Sequence, residues 1–126
     1  MTKEELCKYR KQTEAAIKAK VQGKKFKIDG LEREFVVYGT GINKAVGQSH
    51  KFFFEKNEAL IDFEQTIKNA KYVGSEKVNK NREDILQHHY FEIIIKGEKS
   101  FINIREMIQS NELQFWTIKD SNMLKK

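Results

Sequence analysis

A single β-hairpin is the feature that most constrains this fold. Two strand-like runs, 88–95 and 100–105, are joined by the segment Lys96-Gly97-Glu98-Lys99. Because glycine supplies the positive φ that two-residue hairpin turns require, the loop is either Lys96-Gly97 or Gly97-Glu98. In both cases even positions of the first run share a sheet face with odd positions of the second. A three-residue loop or a bulge would reverse the faces of one strand.

The hairpin therefore has one apolar and one polar face. The apolar face is the expected core, and its members are His89, Phe91, Ile93, Ile95, Ser100, Ile102 and Ile104. The other face, called the open face below, carries His88, Tyr90, Glu92, Ile94, Phe101, Asn103 and Arg105. A histidine, a carboxylate and an arginine on one surface form a set that suits phosphodiester chemistry.

The rest of the chain predicts an α+β fold. Helical patterns predict one helix from Thr2 to about Lys20 and another from Asn57 to Tyr72, with a single helical turn over 42–46 between them. Short strands are expected at 26–28 and 35–38, a polar connection at 75–84, and a last strand at 113–118. Because helices come first and paired strands later, we expect N-terminal helices packed on one face of a C-terminal antiparallel β-sheet.

The faces of the last strand are not fixed by a tight turn. If Trp116 and Ile118 point to the core, Thr117 and Lys119 join the open face. The inverse arrangement points Leu113 and Phe115 inward. The sequence does not decide between these two arrangements.

Composition predicts one domain with an acidic partner. The 126 residues are 39% hydrophobic and 33% charged, which fits a single domain over 1–126 with one modest core. The net charge of +6 favours nucleic acid, an anionic membrane surface or an acidic protein. The lone Cys7 permits no internal disulfide, and no apolar stretch approaches the length of a membrane span. Without a signal segment, export would need an address elsewhere in a longer polypeptide.

Several short motifs resemble a nuclease superfamily. They are Gly41-Ile42-Asn43-Lys44, a helix with Asn57 and Leu60, Tyr72-Val73-Gly74, His89-Tyr90-Phe91-Glu92, the Gly97 turn, Ile102-Asn103 and a closing aromatic strand. Over about 35–121, after a helical and basic part at 1–34, the chain resembles the barnase, EndoU, colicin E5/D and RelE-like nucleases. It is most similar to their phage-associated and polymorphic-toxin branches. The resemblance implies a helix-then-antiparallel-sheet fold and a metal-independent endoribonuclease without cofactor.

The resemblance also implies a context and a set of site residues. Such a domain acts on RNA in the cytoplasm, is delivered within a secreted or phage-borne protein, and is neutralised by an immunity or antitoxin protein; transfer RNA is the suggested target. Position by position, the resemblance bears on Lys44, one of His88 and His89, Glu92, Arg105 and Thr117. Its pattern favours His89, whereas the hairpin faces favour His88.

Metal-free RNA cleavage requires a base, an acid and a cation. Glu92 or a histidine can take the proton of the attacking 2′-hydroxyl, and Arg105 can brace the phosphate. We expect the product to be a 2′,3′-cyclic phosphate. The remaining predicted substrate contacts are Lys44, His50, Lys51, Tyr90, Asn103 and Lys119, with Tyr90 suited to stacking on a base.

Each of these residues also has a structural interpretation. Glu92 opposite Asn103 or Arg105 is a common cross-strand polar pair, and the histidines can simply begin a strand. Three histidines without metal-ligand spacing do not predict a zinc site. Two other functions therefore stay open. One is a nonenzymatic nucleic-acid-binding module, and the other is a protein-interaction module of a phage assembly.

Overall fold

The computed structural model describes residues 1–78 and 84–121. Its helices are α1 (Lys3–Val21), α2 (Gly39–Gly47), α3 (Phe53–Ile61) and α4 (Phe63–Lys68). Its strands are β1 (Lys25–Phe26), β2 (Phe35–Val36), β3 (Lys71–Lys77), β4 (Ile85–Ile95), β5 (Glu98–Met107) and β6 (Leu113–Asp120). In this part of the chain, no helix combines the length and apolarity that crossing a membrane would require.

The strands form one six-stranded sheet in the order β1-β2-β6-β5-β4-β3. Neighbouring strands are antiparallel except β2 and β6, which run parallel. The core lies between the helices and one sheet face, where Ile17, Ile42, Leu60 and Phe63 are buried with Phe91, Ile102 and Phe115. The α+β class and the helices on one face of the sheet are as predicted from the sequence.

The turn between β4 and β5 has two residues, as expected. Ile95 pairs with Glu98, and the turn residues Lys96 and Gly97 have φ angles of 50° and 78°. Positive φ at both central positions matches the primed turn whose twist suits a hairpin. The predicted register is therefore confirmed, with His88 opposite Arg105 and Tyr90 opposite Asn103.

A bulge in β6 combines the two arrangements considered for the last strand. Asn103 pairs with Thr117 and Ile104 pairs with Phe115, so Trp116 is an extra residue between them. The bulge changes which positions face the core. As a result, Leu113, Phe115 and Ile118 are buried in the core, while Trp116 contacts Arg105 on the open face.

The predicted helix from Asn57 to Tyr72 is wrong in its continuity and its end. Helix α3 ends at Ile61 and α4 begins at Phe63, with Asp62 between them at φ −94° and ψ 51°. The Thr66 hydroxyl donates to the carbonyls of Ala59 and Asp62, at 2.8 and 3.0 Å, which satisfies backbone acceptors at the break. Tyr72 belongs to β3 instead.

Strand β3 extends into the segment expected to be a polar connection. It runs through Lys77, and Glu76 pairs with His88. Polar side chains on an edge strand do not give the apolar alternation by which strands are recognised. The later part of the expected connection, 79–83, lies outside the described residues.

Helix α2 packs closely against β6 through Gly41. A Cβ atom at Gly41 would collide with the carbonyl oxygen of Phe115, so only glycine permits this approach. The helix runs from Gly39 to Gly47 and is longer than the single turn predicted at 42–46. Its position beside β6 carries Lys44 to the ring of Trp116, with Nζ 6.0 Å from the ring centroid.

Candidate active site

Two rows of side chains cross the open face. The first row runs from Glu76 on β3 through His88 and Arg105 to Gln114 on β6. The second runs through Tyr90, Asn103 and Thr117 on β4, β5 and β6. Directly opposed residues on neighbouring antiparallel strands lie about 5 Å apart at Cα, so each side chain of a row adjoins the next. Asn103 and Thr117 in the second row are buried.

Asn103 fixes the orientation of the His88 ring. The two side chains are joined by a hydrogen bond of 2.9 Å between His88 Nδ1 and Asn103 Oδ1. An amide oxygen can only accept, so Nδ1 carries the proton and the neutral ring has its basic lone pair on Nε2. Asn103 is itself buried, with 1% of its surface exposed. The result is an imidazole held in the tautomer that can take a proton through Nε2.

Arg105 is held flat against Trp116. Its Nε donates to Gln114 Oε1 at 3.0 Å, and its Cζ lies 3.7 Å from the centroid of the Trp116 ring. Stacking and hydrogen bonding together limit the rotation of the guanidinium, whose forked donors suit phosphate oxygens. Since His88 lies directly opposite Arg105 in the register, a base and a cation adjoin on this surface.

The surrounding charges favour the neutral form of His88. Burial lowers the pKa of His88 below its usual value, and the charges of Lys119 and Arg105 lower it further, against the hydrogen bond to Asn103 and the charge of Glu76, which raise it. Burial and the Glu76 carboxylate raise the pKa of the Tyr90 hydroxyl. At neutral pH the open face therefore presents an unprotonated imidazole beside a protonated phenol.

Thr117 lies under this surface. Its side chain is fully buried, and Oγ1 has no hydrogen-bond partner within the described residues. Lys119 follows two residues later on β6, opposite Phe101. Pairing with Asn103 and Phe101 gives Thr117 and Lys119 the backbone register of the open face, which is one of the two arrangements left open by the sequence.

Glu92 shares the open face but lies apart from His88. The two residues are four positions apart on β4, which corresponds to about 13 Å along a strand. Glu92 instead forms an ion pair with Lys99, Oε1 to Nζ 3.4 Å. The carboxylate that the structure brings to His88 is Glu76, through the pairing of β3 with β4.

His89 points to the opposite face. It is 7% exposed, and its Nε2 lies 2.9 Å from Glu106 Oε1 while its Nδ1 lies 3.2 Å from the Tyr72 hydroxyl. Burial raises the pKa of Glu106, but hydrogen bonds from His89 and Gln87 and the charge of Arg33 outweigh it, so the net shift is downward. These contacts join β3, β4 and β5 on the core side, away from His88.

His50 and Lys51 also lie away from the open face. His50 Nδ1 accepts the backbone N–H of Phe52 at 2.8 Å, so its Nε2 carries the proton and donates to the buried Ser100 Oγ at 2.8 Å. The Lys51 side chain pairs with Glu98, Nζ to Oε1 3.1 Å. Both residues connect the loop before α3 to the start of β5.

Sequence reasoning missed Glu76, Gln114 and Trp116 as members of this surface. Glu76 was concealed by the polar composition of β3. Trp116 is turned outward by an extra residue in β6, and no local sequence pattern marks such an insertion. Within the described ranges, no group of three or more His, Cys, Asp and Glu side chains is arranged to hold a metal ion.

Comparison with known proteins adds a family but no individual relative. A family model described as large polyvalent protein-associated domain 3 matches residues 4–114. The comparisons with curated proteins and with solved structures return no match. The match covers most of the sequence, from Glu4 in α1 to Gln114 in β6, and includes His88, Asn103 and Arg105. The chain therefore belongs to the large polyvalent protein-associated domain 3 family.

Proposed function

We propose that this domain is a metal-independent endoribonuclease that forms a 2′,3′-cyclic phosphate. The observation that carries the proposal is the hydrogen bond from His88 Nδ1 to Asn103 Oδ1, which leaves Nε2 as a base opposite Arg105. In the proposed reaction Nε2 takes the proton of a 2′-hydroxyl, whose oxygen bonds to the adjacent phosphorus. The bond from phosphorus to the 5′-oxygen then breaks, and that oxygen receives a proton.

The cations of the open face can stabilise the negative charge that develops on the phosphate oxygens in this reaction. Arg105 is fixed by Gln114 and Trp116, and Lys119 is near enough to His88 for its charge to lower the histidine pKa. Such preorganised donors stabilise the pentacoordinate phosphorane more than the starting diester. Tyr90, whose raised pKa keeps its hydroxyl protonated at neutral pH, can supply the proton to the leaving oxygen.

The family assignment supports the proposed context. A domain associated with large polyvalent proteins fits the phage-associated and polymorphic-toxin branches that the sequence resembles. We propose that the domain acts on cytoplasmic RNA after delivery within a larger protein, with transfer RNA as its target. A cognate immunity or antitoxin protein is the proposed partner that protects the producing cell.

A second candidate function is retention of nucleic acid without cleavage. The observation that favours it is the stack of Arg105 on Trp116 beside Lys44, which could hold an unpaired base and its phosphate with no chemistry. A third candidate, a protein-interaction module, would require indifference to RNA, and this too can be measured.

The test is cleavage of total RNA in the presence of EDTA. We expect wild type to cut, and His88→Ala and Arg105→Ala each to lose at least about a hundredfold in rate, as removal of a base or of a charge-stabilising donor commonly does. Glu92→Gln is the matched control on the same face and should retain activity. His89→Ala should lower thermal stability more than the rate per folded molecule.

The alternatives give different results in the same assay. RNA that is retained in a gel shift but left intact would favour the binding module. Loss of wild-type cleavage on chelation, or full activity in His88→Ala, would contradict the proposed mechanism.

A further inference from the structure

A second cationic surface adjoins the open face at the end of α2. It is a cleft of about 320 Å³ lined by Arg10, Asn43, Lys44, Gly47, Gln48 and Ser49. Two of the six lining residues are cations and none is acidic. Neither Arg10 nor Lys44 has an ion-pair partner within residues 1–78 and 84–121. The cleft therefore has the charge and the donors of an anion-binding site.

Gly47 makes room for the Arg10 guanidinium. A Cβ atom at Gly47 would overlap Nη2 of Arg10, so any other residue would displace this side chain. Arg10 also lies near the buried Lys56, and its charge contributes to lowering the Lys56 pKa. Repulsion between Arg10 and a protonated Lys56 opposes folding, and a bound anion would relieve it.

Trp116 connects this cleft to the proposed active site. Lys44 lines the cleft, and its Nζ lies 6.0 Å from the centroid of the Trp116 ring. Arg105 stacks on the same ring at 3.7 Å. Trp116 therefore adjoins Arg105 of the active site and Lys44 of the cleft, so a polyanion bound at Arg105 and passing Trp116 would meet Lys44 and Arg10.

We propose that the Arg10–Lys44 cleft binds a backbone phosphate of the RNA strand beyond the scissile linkage, with a base of that strand against Trp116. This inference rests on the proposed function for the identity of the strand. It makes the substrate an extended single strand rather than a dinucleotide, since a dinucleotide has no phosphate to place in the cleft. Arg10, on α1, is then a substrate-binding residue far in sequence from the chemistry.

Binding of a noncleavable strand tests the cleft independently of catalysis. The probe is a fluorescent single-stranded 2′-O-methyl oligoribonucleotide, and its affinity is measured at several salt concentrations. Arg10→Ala should weaken binding about tenfold and reduce the slope of log K against log salt by about one, as loss of one phosphate contact predicts. Gly47→Ala should weaken binding similarly while every charge is retained.

Lys11→Ala is the matched control, because it removes one exposed cation from the same helix at the neighbouring position. Its affinity and salt slope should stay near those of wild type. Unchanged binding in Arg10→Ala and Gly47→Ala, or an equal loss in Lys11→Ala, would overturn the proposal. Thermal melting of each variant separates lost contacts from lost folding.

Cleavage assays then separate this proposal from the proposed activity. On an oligoribonucleotide, Arg10→Ala should lower kcat/KM about tenfold, whereas on a dinucleotide with one scissile linkage it should change little. If wild type binds the noncleavable strand through Arg10 but cuts neither substrate, the cleft stands and the ribonuclease function fails. If wild type does not bind the strand, the cleft proposal fails.

Discussion

His88 and His89 are adjacent in the sequence and lie in opposite chemical environments. His88 faces the open side and is hydrogen-bonded through Nδ1 to Asn103, while His89 is enclosed by Tyr72 and Glu106 on the core side. The difference arises from strand alternation alone, because successive side chains of β4 point to opposite faces. A proton-transfer role requires the accessible ring, so the proposed mechanism rests on His88.

Charged neighbours of His88 should shift the pH profile in opposite directions. The pKa of His88 is lowered from 6.5, and the base must be unprotonated, so kcat/KM should rise through a midpoint below pH 6.5. Removing the Glu76 carboxylate, which raises this pKa, should move the midpoint to lower pH in Glu76→Gln. Removing the Lys119 charge, which lowers it, should move the midpoint to higher pH in Lys119→Gln.

The measurement is the pH dependence of kcat/KM for wild type, Glu76→Gln and Lys119→Gln on one substrate. A midpoint that stays fixed in both variants would show that His88 does not control the acidic limb. Glu92→Gln serves as the control, because Glu92 is about 13 Å along the strand from His88 and should leave the midpoint unchanged.

Much of the candidate site can be predicted from the sequence, because a short turn joins the two strands that carry it. A two-residue loop at Lys96-Gly97 fixes the register, so the sequence alone suffices to group His88, Asn103 and Arg105 on one face. The sequence alone does not suffice to place Trp116 and Glu76 on that face. An extra residue in β6 and the pairing of an edge strand depend on tertiary packing, which local patterns do not encode.

Helix α2 ends on a buried lysine. Lys56, on α3, is completely buried, and its Nζ donates to the carbonyls of Ala45, Val46 and Gln48 at 2.6, 2.9 and 2.9 Å. The last carbonyls of a helix have no partner within the helix, and here one amino group supplies the donors. Lys56 therefore fixes the end of the helix that carries Lys44.

Lys56→Met should destabilise the fold. The variant keeps the apolar stem of the side chain but lacks Nζ, which removes a donor from three carbonyls, and we expect a loss of about 2–3 kcal/mol in the free energy of unfolding. Chemical denaturation at neutral pH measures it. Lys44→Met, an exposed change on the neighbouring helix, is the control and should cost less than about 0.5 kcal/mol.

The effect of Lys56 should also depend on pH. Burial, followed by the charge of Arg10, lowers its pKa from 10.5 to about 7. Between those values the unfolded chain holds a proton that the folded chain lacks, so this group makes stability rise with pH, by up to about 1.4 kcal/mol per unit. The slope should be smaller in Lys56→Met. Equal stability and equal slopes in the two proteins would contradict this account of α2.

Sequence patterns predicted the elements better than their ends. The capping box at Thr2 and Glu5 begins α1 as expected, because it satisfies local backbone donors. The break at Asp62 was not predicted, since apolar residues continue at helical spacing across it. Phe63, the first residue of α4, packs against Phe26 and Phe115 at ring distances of 5.2 Å each, directly after the break.

The whole molecule separates its two sheet faces by role. The helices cover one face and form the core with it, whereas the other face carries His88, Arg105 and Lys119. The net charge of +6 is a general attraction for polyanions, but it does not choose among RNA, membranes and acidic proteins. The choice of RNA rests on the base and cation of the open face.

The most direct test of the central claim is the chemistry of the cleaved ends. An oligoribonucleotide is incubated with wild type in EDTA, and its fragments are compared by mass with those of a strand whose scissile nucleotide is 2′-deoxy. Attack by the 2′-hydroxyl predicts a 2′,3′-cyclic phosphate, one water lighter than the open monophosphate, and an intact deoxy strand. Cleavage of the deoxy strand, or a free 3′-hydroxyl as the first product, would contradict the mechanism.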